Sequence, residues 1–545
     1  MHSSKSKSRF ELVRPATFLV GICFLGAVLR LHHIGDRSFW LDEAFSWTMA
    51  SQHSVHEIFL RSTNDFNPPL YYIFLKYWIS LFGDSEFSQR GLSVAFAIAT
   101  IVSVYFLCRD AFPEENRPSN KHKTASQHEI GLVAAAFTAV SASHIQWSVE
   151  TRMYTQGTFL AVLSTWALLH CVKTNASSLT WKLLYTLSAT ALLYTHTFGI
   201  FTVFGQACFV CVLLLNQRYF KTESQPLTET VENSQVAIDD TSCFTTIRQF
   251  CYMYFVVGIA CAPWAYVLLG QAQRAKSEYW IPAMDAWTLP TTWAQLIAPS
   301  NHLPQFMNHT FSMIISIGTL TILIVYFVIA RSAGARLVVT MLLLPIVCAS
   351  IVSLRFVPII MPKHLLIAFL FFICIGSYVI CLVPSQSLRR GIVLILLGDC
   401  LYLHYCYQEE LDVSSRPGIR KITEIVHDNF RDGDSVVVKN PAMLFSSRYY
   451  FRENTIKPML LKNTKIASYS GLALIDSTDQ ILNKELRDAD VLRVWEIDST
   501  GFAQSPAGSY EKLREKHWRK ESTVAHQGVL HFERKVVLNL YERVP

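Results

Sequence analysis

The strongest constraint on this chain is the recurrence, from residue 15 to about residue 406, of apolar runs close to twenty residues long. A helix rises about 1.5 Å per residue, so such a run matches the roughly 30 Å hydrocarbon core of a bilayer. Within that core a spanning segment must satisfy its own backbone N–H and C=O groups, which favours helices. Only 16% of the residues are charged and 51% are hydrophobic, whereas roughly a quarter of a soluble domain is charged. The sequence thus predicts a polytopic α-helical membrane protein embedded in the lipid bilayer. The formal charge of +7 calls for no nucleic acid partner, because Lys and Arg collect in the loops beside the runs. All 13 cysteines lie at or before Cys406, mostly in apolar segments, where a free thiol behaves as a small hydrophobe. Cys208 and Cys211 form a CxxC inside one such run without other ligands, so span packing explains them better than a metal or redox site.

Residues 1–14 are polar and basic (Lys5, Lys7, Arg9, Arg14) and are expected to form a cytoplasmic tail. No small-residue cleavage site follows the first apolar run, so 15–31 is expected to be a true span and not a signal peptide. The next apolar piece, PPLYYIFLKYWISLFG at 68–83, is short, opens with two prolines and carries Lys76 among tyrosines and Trp78. It is expected to lie on the outer surface as an interfacial helix, within a first outer loop running from 32 to 89. Further spans are expected at about 90–108, 130–147, 153–171, 181–195, 198–215, 249–269, 311–330, 337–354, 365–382 and 391–406, eleven in all. This arrangement puts Arg109, Arg117, Lys121 and Lys123 inside and concentrates Lys and Arg in the inner loops, as the positive-inside rule requires. Residues 216–248 then form a polar inner loop, and 270–310 a long, partly interfacial outer loop with Trp280, Trp287 and Trp293. The sequon at Asn308 would face outside and that at Asn175 inside.

From 407 to 545 the composition becomes that of a soluble domain. RPGIRKITEIVHDNF (416–430) places Ile419, Ile422, Ile425, Val426 and Phe430 at helical spacing. DSVVVKN, GLALIDS, ADVLRVWEI, GVLHFE and KVVLNLYERV read as strands. The expectation is a small α/β domain on the outer side, without cysteine and without a Gly-rich phosphate loop.

The chemistry concentrates just after the first run. RSFWLDEAFSW (37–47) sets Asp42 and Glu43 among Phe39, Trp40, Phe45 and Trp47, and Trp favours the membrane–water boundary. A carboxylate that has lost part of its hydration is a stronger base, suited to taking a proton from a hydroxyl. On the same face the eleven-span arrangement puts Arg90, the turn ETRMY with Glu150, Arg152 and Tyr154, and RFVPIIMPKHL with Arg355, Lys363 and His364. Any one Arg or Lys at the end of a span is ordinarily a snorkelling anchor. The weight lies in their convergence: a carboxylate as base facing cations that hold and neutralise a leaving phosphate.

WLDEAFS, then NPPLYYIFLKYW…LFGDSEFSQRGLS, ETRMY and YTHTFG resemble, in order and spacing over roughly 15–370, the membrane glycosyltransferases of the GT-C class. More narrowly they are similar to bacterial relatives of the dolichyl-phosphate-mannose protein mannosyltransferases and of the lipid A aminoarabinose and galacturonic acid transferases. The resemblance implies a 15–406 catalytic membrane domain acting as an inverting glycosyltransferase. It would move a sugar from a polyprenyl-phosphate donor to a hydroxyl acceptor (glycolipid, lipid A, wall glycan or protein). It further implies Asp42 as catalytic base with Glu43 beside it, Arg90, Arg152 and Lys363 as ligands of the donor phosphate, and Glu150, Tyr154 and His364 in support. Lys363-His364 stands where relatives often have Arg-Tyr. No nucleotide cofactor is implied and no metal is assigned, although Asp42, Glu43 and Glu150 offer oxygens a divalent cation accepts. The implied location is a bacterial inner (plasma) membrane, with the active site and C-terminal domain outside the cytoplasm. The competing class, a transporter or lipid-flipping protein, calls for ionisable groups near the bilayer midplane and internal repeats. Here the charges gather at one face, and no repeat is detectable.

Overall fold

The computed structural model describes residues 3–113, 125–223, 240–278, 280–299, 305–410, 414–453, 455–462, 471–482, 485–486, 491–501, 518–528 and 534–544. Helix α1 (Ser3–Leu31) is followed by three short helices, α2 (Leu41–Gln52), α3 (Val55–Ser62) and α4 (Leu70–Phe82). The bundle continues through α5 (Glu86–Ala111), α6 (Gln127–Val140), α7 (Ala142–Ser148), α8 (Tyr154–Lys173), α9 (Leu179–Leu193) and α10 (Gly199–Glu223). It closes with α11 (Asp240–Glu278), α12 (Thr288–Ile297), α13 (Gln305–Ile329), α14 (Ala333–Arg355), α15 (Pro362–Cys381) and α16 (Gln386–Glu410). Several of these start at a serine whose hydroxyl accepts from the N–H three residues on: Ser85 before α5, Ser126 before α6, Ser141 before α7 and Ser332 before α14. Each such cap satisfies an N–H that has no partner inside the helix.

Seven helices among the described residues are long and apolar enough to cross a membrane, or eight if α6 and α7, bent by 58° at Ser141, make one crossing. This corrects the expected eleven. A helix does stand at each of the eleven positions, but Pro15–Leu31 and Gly199–Leu215 are shorter apolar stretches and α9 has only 15 residues. The expected break between 195 and 198 is present as a turn at Thr195–His196, but the apolar helices on either side of it are short. The α6–α7 break is held by Arg30, whose guanidinium donates to the carbonyls of Gly26, Thr138 and Ala139 and to His144 Nδ1. A cation at the end of α6 meets the carbonyls that the helix leaves unpaired. Helices α5, α8 and α15 form the interior, while α13 and α16 bury only 11% of their apolar windows and offer the rest to lipid. Residues 68–83 do fold as a short helix, α4. The expected 270–310 loop is instead largely helical, because α11 runs on to Glu278 and α12 folds within it. Trp293 on α12 is buried against Phe369 and Phe372, with Nε1 donating to Thr319 Oγ1 at 3.0 Å.

The C-terminal unit is a small α/β domain. Helix α17 (Gly418–Asn429) and helix α18 (Pro441–Tyr450) accompany strands β1 (Asp434–Val438), β2 (Met459–Leu461), β3 (Gln480–Ile481), β4 (Arg493–Ser499), β5 (Trp518–Gln527) and β6 (Lys535–Arg543). The sheet order is β3-β2-β1-β4-β6-β5, parallel through β4 and antiparallel for β6 and β5. Three expected strands correspond to β1, β4 and β6. GLALIDS is not a strand: Gly471 takes φ +85° and Leu472–Leu474 coil into a 3-10 turn. That turn packs on α2, with Phe45 and Phe445 closing on Gly471, so contact with the bundle overrides the alternating pattern. GVLHFE lies outside the described residues except for Gly528.

Candidate active site

Asp42 and Glu43 occupy the first turn of α2, entered through extended backbone at Trp40. Successive helical residues point about 100° apart, so the two carboxylates cannot share one task. Glu43 turns into the core and Asp42 into a cavity.

Glu43 Oε1 accepts from Arg90 Nε at 2.7 Å and from the Thr151 amide at 3.0 Å, and Oε2 accepts from Arg90 Nη2 at 2.8 Å. Arg90 also donates through Nη1 to the carbonyls of Ile34 and Arg37 and through Nη2 to that of Ser38. All five guanidinium N–H groups therefore end on the protein. The expectation that Arg90 holds a donor phosphate meets this geometry as a correction: Arg90 is a buried clamp joining α5 to the loop before α2, and neither it nor Glu43 lines the cavity. Glu43 likewise is no candidate base.

The cavity has a volume of about 1030 Å³. Asp42, Glu150, Arg152, Tyr154, Lys363 and His364 all line it, so six of the nine residues singled out in the sequence meet there. Asp42 Oδ2 lies 3.7 Å from Arg152 Nη2 and 3.8 Å from Lys363 Nζ. Arg152 comes from the short turn before α8 and also donates through Nη1 to the Asp42 carbonyl and to Ser46 Oγ, both at 3.3 Å. Lys363, in the first turn of α15, lies over the Tyr154 and Trp280 rings at 5.6 and 5.7 Å. Glu150 is buried beside them, and its Oε2 and Arg152 Nε have no hydrogen-bond partner among the described residues. Desolvation, with the charge of Glu43 added, pushes the Glu150 carboxyl up to about 8, so the group is mostly neutral at pH 7. Arg355, also named from the sequence, is exposed at the end of α14 and does not line the cavity.

Two cavity residues escaped the sequence reading. Asp65 lies just before α4, where its Oδ2 accepts from Tyr72 Oη at 3.2 Å, and burial raises its carboxyl above the ordinary range. Tyr72 Oη in turn lies 3.5 Å from Arg152 Nη1. The available signal was an acid two residues ahead of Asn67-Pro68-Pro69. His196, from the YTHTFG turn, is buried and lowered to about 3 by desolvation, with Arg152 and Lys363 adding to the effect. Its Nδ1 accepts from the Phe198 amide, whereas His364 Nδ1 donates to the Ile359 carbonyl. Among the described residues no group of three or more His, Cys, Asp or Glu is placed to hold a metal ion, since Glu43 turns away from Asp42.

No protein-family model and no curated protein sequence matches this chain. Solved structures do. ArnT from Cupriavidus metallidurans in the apo state superposes with a TM-score of 0.57 at 9% identity, covering 98% of each chain. ArnT bound to undecaprenyl phosphate gives a TM-score of 0.39 at 11% identity over 96% of this chain and 97% of that one. The archaeal oligosaccharyltransferase AglB from Archaeoglobus fulgidus, in complex with an inhibitory peptide and a dolichol-phosphate, gives 0.48 at 9% identity over 89% and 70%. At these identities the likeness to apo ArnT is one of fold alone: a polytopic helical membrane part followed by a small α/β domain.

Proposed function

We propose that this protein is an inverting glycosyltransferase that moves a sugar from a polyprenyl-phosphate donor to a hydroxyl acceptor at the outer face of the membrane. The observation that carries the reading is Asp42 Oδ2 facing Arg152 and Lys363 at 3.7 and 3.8 Å on the wall of a cavity of about 1030 Å³. A base and two cations in one recess are what a displacement with a phosphate leaving group needs. Apolar side chains such as Phe66, Phe198, Phe201, Leu268 and Leu269 line the same recess, and they suit a lipid-linked donor better than a free nucleotide sugar.

In this reading the acceptor oxygen attacks the sugar's C1 while the bond from C1 to the phosphate oxygen breaks. The hydroxyl proton passes to Asp42, and the electron pair leaves with the polyprenyl phosphate. Arg152 and Lys363 neutralise that charge as it develops. Arg152 lines the cavity, and a guanidinium fork suits two parallel hydrogen bonds to phosphate oxygens. Glu150, mostly neutral at pH 7, can donate a hydrogen bond without repelling the phosphate. The motif resemblance supports the same donor class.

The test is turnover by purified protein of a panel of polyprenyl-phosphate-linked hexoses and aminopentoses. Asp42→Asn keeps the side chain's size and removes its basicity, so turnover should fall at least ~10²-fold with donor binding retained. Near-normal turnover in this variant removes Asp42 from the mechanism and the reading with it.

A further inference from the structure

The α/β domain packs on the segment that carries Asp42. Residues 34–40 connect α1 to the helix that carries Asp42, and two arginines grip this loop. From the bundle, Arg90 takes the carbonyls of Ile34, Arg37 and Ser38. From the α/β domain, Arg420 on α17 donates to the carbonyls of Gly35, Asp36 and Arg37 at 3.1, 2.9 and 3.4 Å. The amide of Phe39 donates to Tyr450 Oη at 2.8 Å, and Tyr450 Oη donates onward to Glu86 Oε1 at 3.0 Å. Arg420 Nη2 meets the same Glu86 oxygen at 2.7 Å, while Tyr449 Oη lies 3.0 Å from Glu86 Oε2. Glu86 opens α5, one turn before Arg90. The Phe39 ring lies between Arg90, 5.1 Å away, and Tyr449, 4.5 Å away. Beyond the loop, Phe45 and Trp47 of α2 pack on Phe445 and Tyr449, and Gly471 of the α/β domain lines the cavity.

We propose that the α/β domain is a working part of the active site: Arg420 and Tyr450 are positioning residues that brace residues 34–40 and thereby set where Asp42 stands. The inference rests on the glycosyltransferase reading for its catalytic consequence and on geometry alone for the brace. A loop gripped only from the bundle side would leave the Phe39 amide and the Gly35 and Asp36 carbonyls to water. The first turn of α2 could then rock about Glu43, which Arg90 fixes, and Asp42, next to that pivot, would swing away from Arg152 and Lys363. A displacement reaction is sensitive to a shift of that kind. Donor affinity, which depends on the two cations, should change little.

The experiment uses the full-length protein in detergent or nanodiscs and compares Tyr450→Phe with wild type and with Lys421→Ala, a change on the exposed face of α17. Tyr450→Phe removes a single hydroxyl. Hydrogen exchange should speed up in peptides containing the Phe39 amide. With the polyprenyl-phosphate sugar that the wild type turns over, kcat should fall about tenfold, the rate equivalent of one hydrogen bond, with donor KM unchanged. Lys421→Ala should match wild type in both. Arg420→Lys keeps a charge beside Glu86 but lacks the fork that reaches three carbonyls, so it should repeat the kcat loss if Tyr450→Phe folds poorly. Unchanged exchange at Phe39 overturns the brace. Faster exchange with unchanged kcat, or a rise in donor KM in place of a fall in kcat, overturns the positioning role. If Asp42→Asn itself retains turnover, the glycosyltransferase reading fails instead, and the exchange result still decides the brace.

Discussion

Arg90 and Glu43 meet edge to edge, with Nε–Oε1 at 2.7 Å and Nη2–Oε2 at 2.8 Å, and only 1% and 2% of the two side chains reach solvent. The pair fixes α2 to α5, and the Thr151 amide on Oε1 brings in the turn that carries Arg152. Removing one partner leaves the other as a buried, unpaired charge, at a cost of about 3–5 kcal/mol. Glu43→Gln and Arg90→Met should therefore lower the thermal midpoint and the yield of folded protein. The folded remainder should keep a donor KM close to wild type, because neither side chain reaches the cavity. A specific loss of donor affinity at normal stability would return Arg90 to the phosphate site.

Arg152 and Lys363 should behave in the opposite way. A charge-assisted hydrogen bond contributes on the order of 1.5–3 kcal/mol, so Arg152→Lys, which cannot reproduce a forked grip, should raise donor KM about tenfold or more. Arg152→Ala should do more still, and Lys363→Met should also weaken donor use. Kinetics with matched amounts of folded protein decide the matter. If neither residue affects donor use, both are membrane anchors and the phosphate site lies elsewhere.

Glu150 gives a pH signature. Its carboxyl is raised to about 8 in the fold, from an ordinary 4.5. As pH rises above the ordinary value the unfolded chain ionises first and gains hydration, while the folded protein keeps a buried neutral acid. The stability linked to this group is therefore fully present below about 4.5 and is lost progressively as pH rises to about 8. Glu150→Gln carries no titration, so between pH 5 and 9 wild type should lose more of its thermal midpoint than the variant does. Parallel curves for the two proteins would rule out a raised Glu150.

Gly471 tests the seat of the α/β domain on α2. Its φ of +85° suits glycine, and an added Cβ would come within 2.4 Å of Phe445 Cε2. Gly471→Ala should cost about 1–3 kcal/mol in backbone strain, with more from the clash, and should loosen the contact with Phe45. Faster proteolysis in the segment that follows α16, at unchanged bundle helicity, is the expected readout.

Much of the membrane part was legible in the sequence because burial in lipid imposes a one-dimensional pattern, and each expected apolar run did become a helix. The pattern gives an apolar run and not a helix length, so the bend at Ser141 inside the expected 130–147 span went unseen, and the short helices on either side of the expected break at 195–198 were counted as full spans. In the α/β domain, β1, β4 and β6 carry the β-branched runs that sheets favour. β5, reading WRKESTVAHQ, is largely exposed and polar, and only its pairing with β6 makes it a strand.

The sequence by itself determined that the chain is a polytopic helical membrane protein with a C-terminal α/β domain, and it singled out most of the acids and cations that meet at the cavity. It could not decide which of two adjacent acids faces the cavity, because that depends on the rotation of α2 as Arg90 and the Thr151 amide fix it. Nor could it distinguish a cation that is spent on the fold from one that is available. Arg90 and Arg152 look alike in the chain, but only the tertiary structure surrounds Arg90 with acceptors and leaves Arg152 Nε unpartnered beside the cavity. The brace from Arg420 and Tyr450 was invisible for the same reason: its partners lie hundreds of residues away, and chain folding alone brings them together.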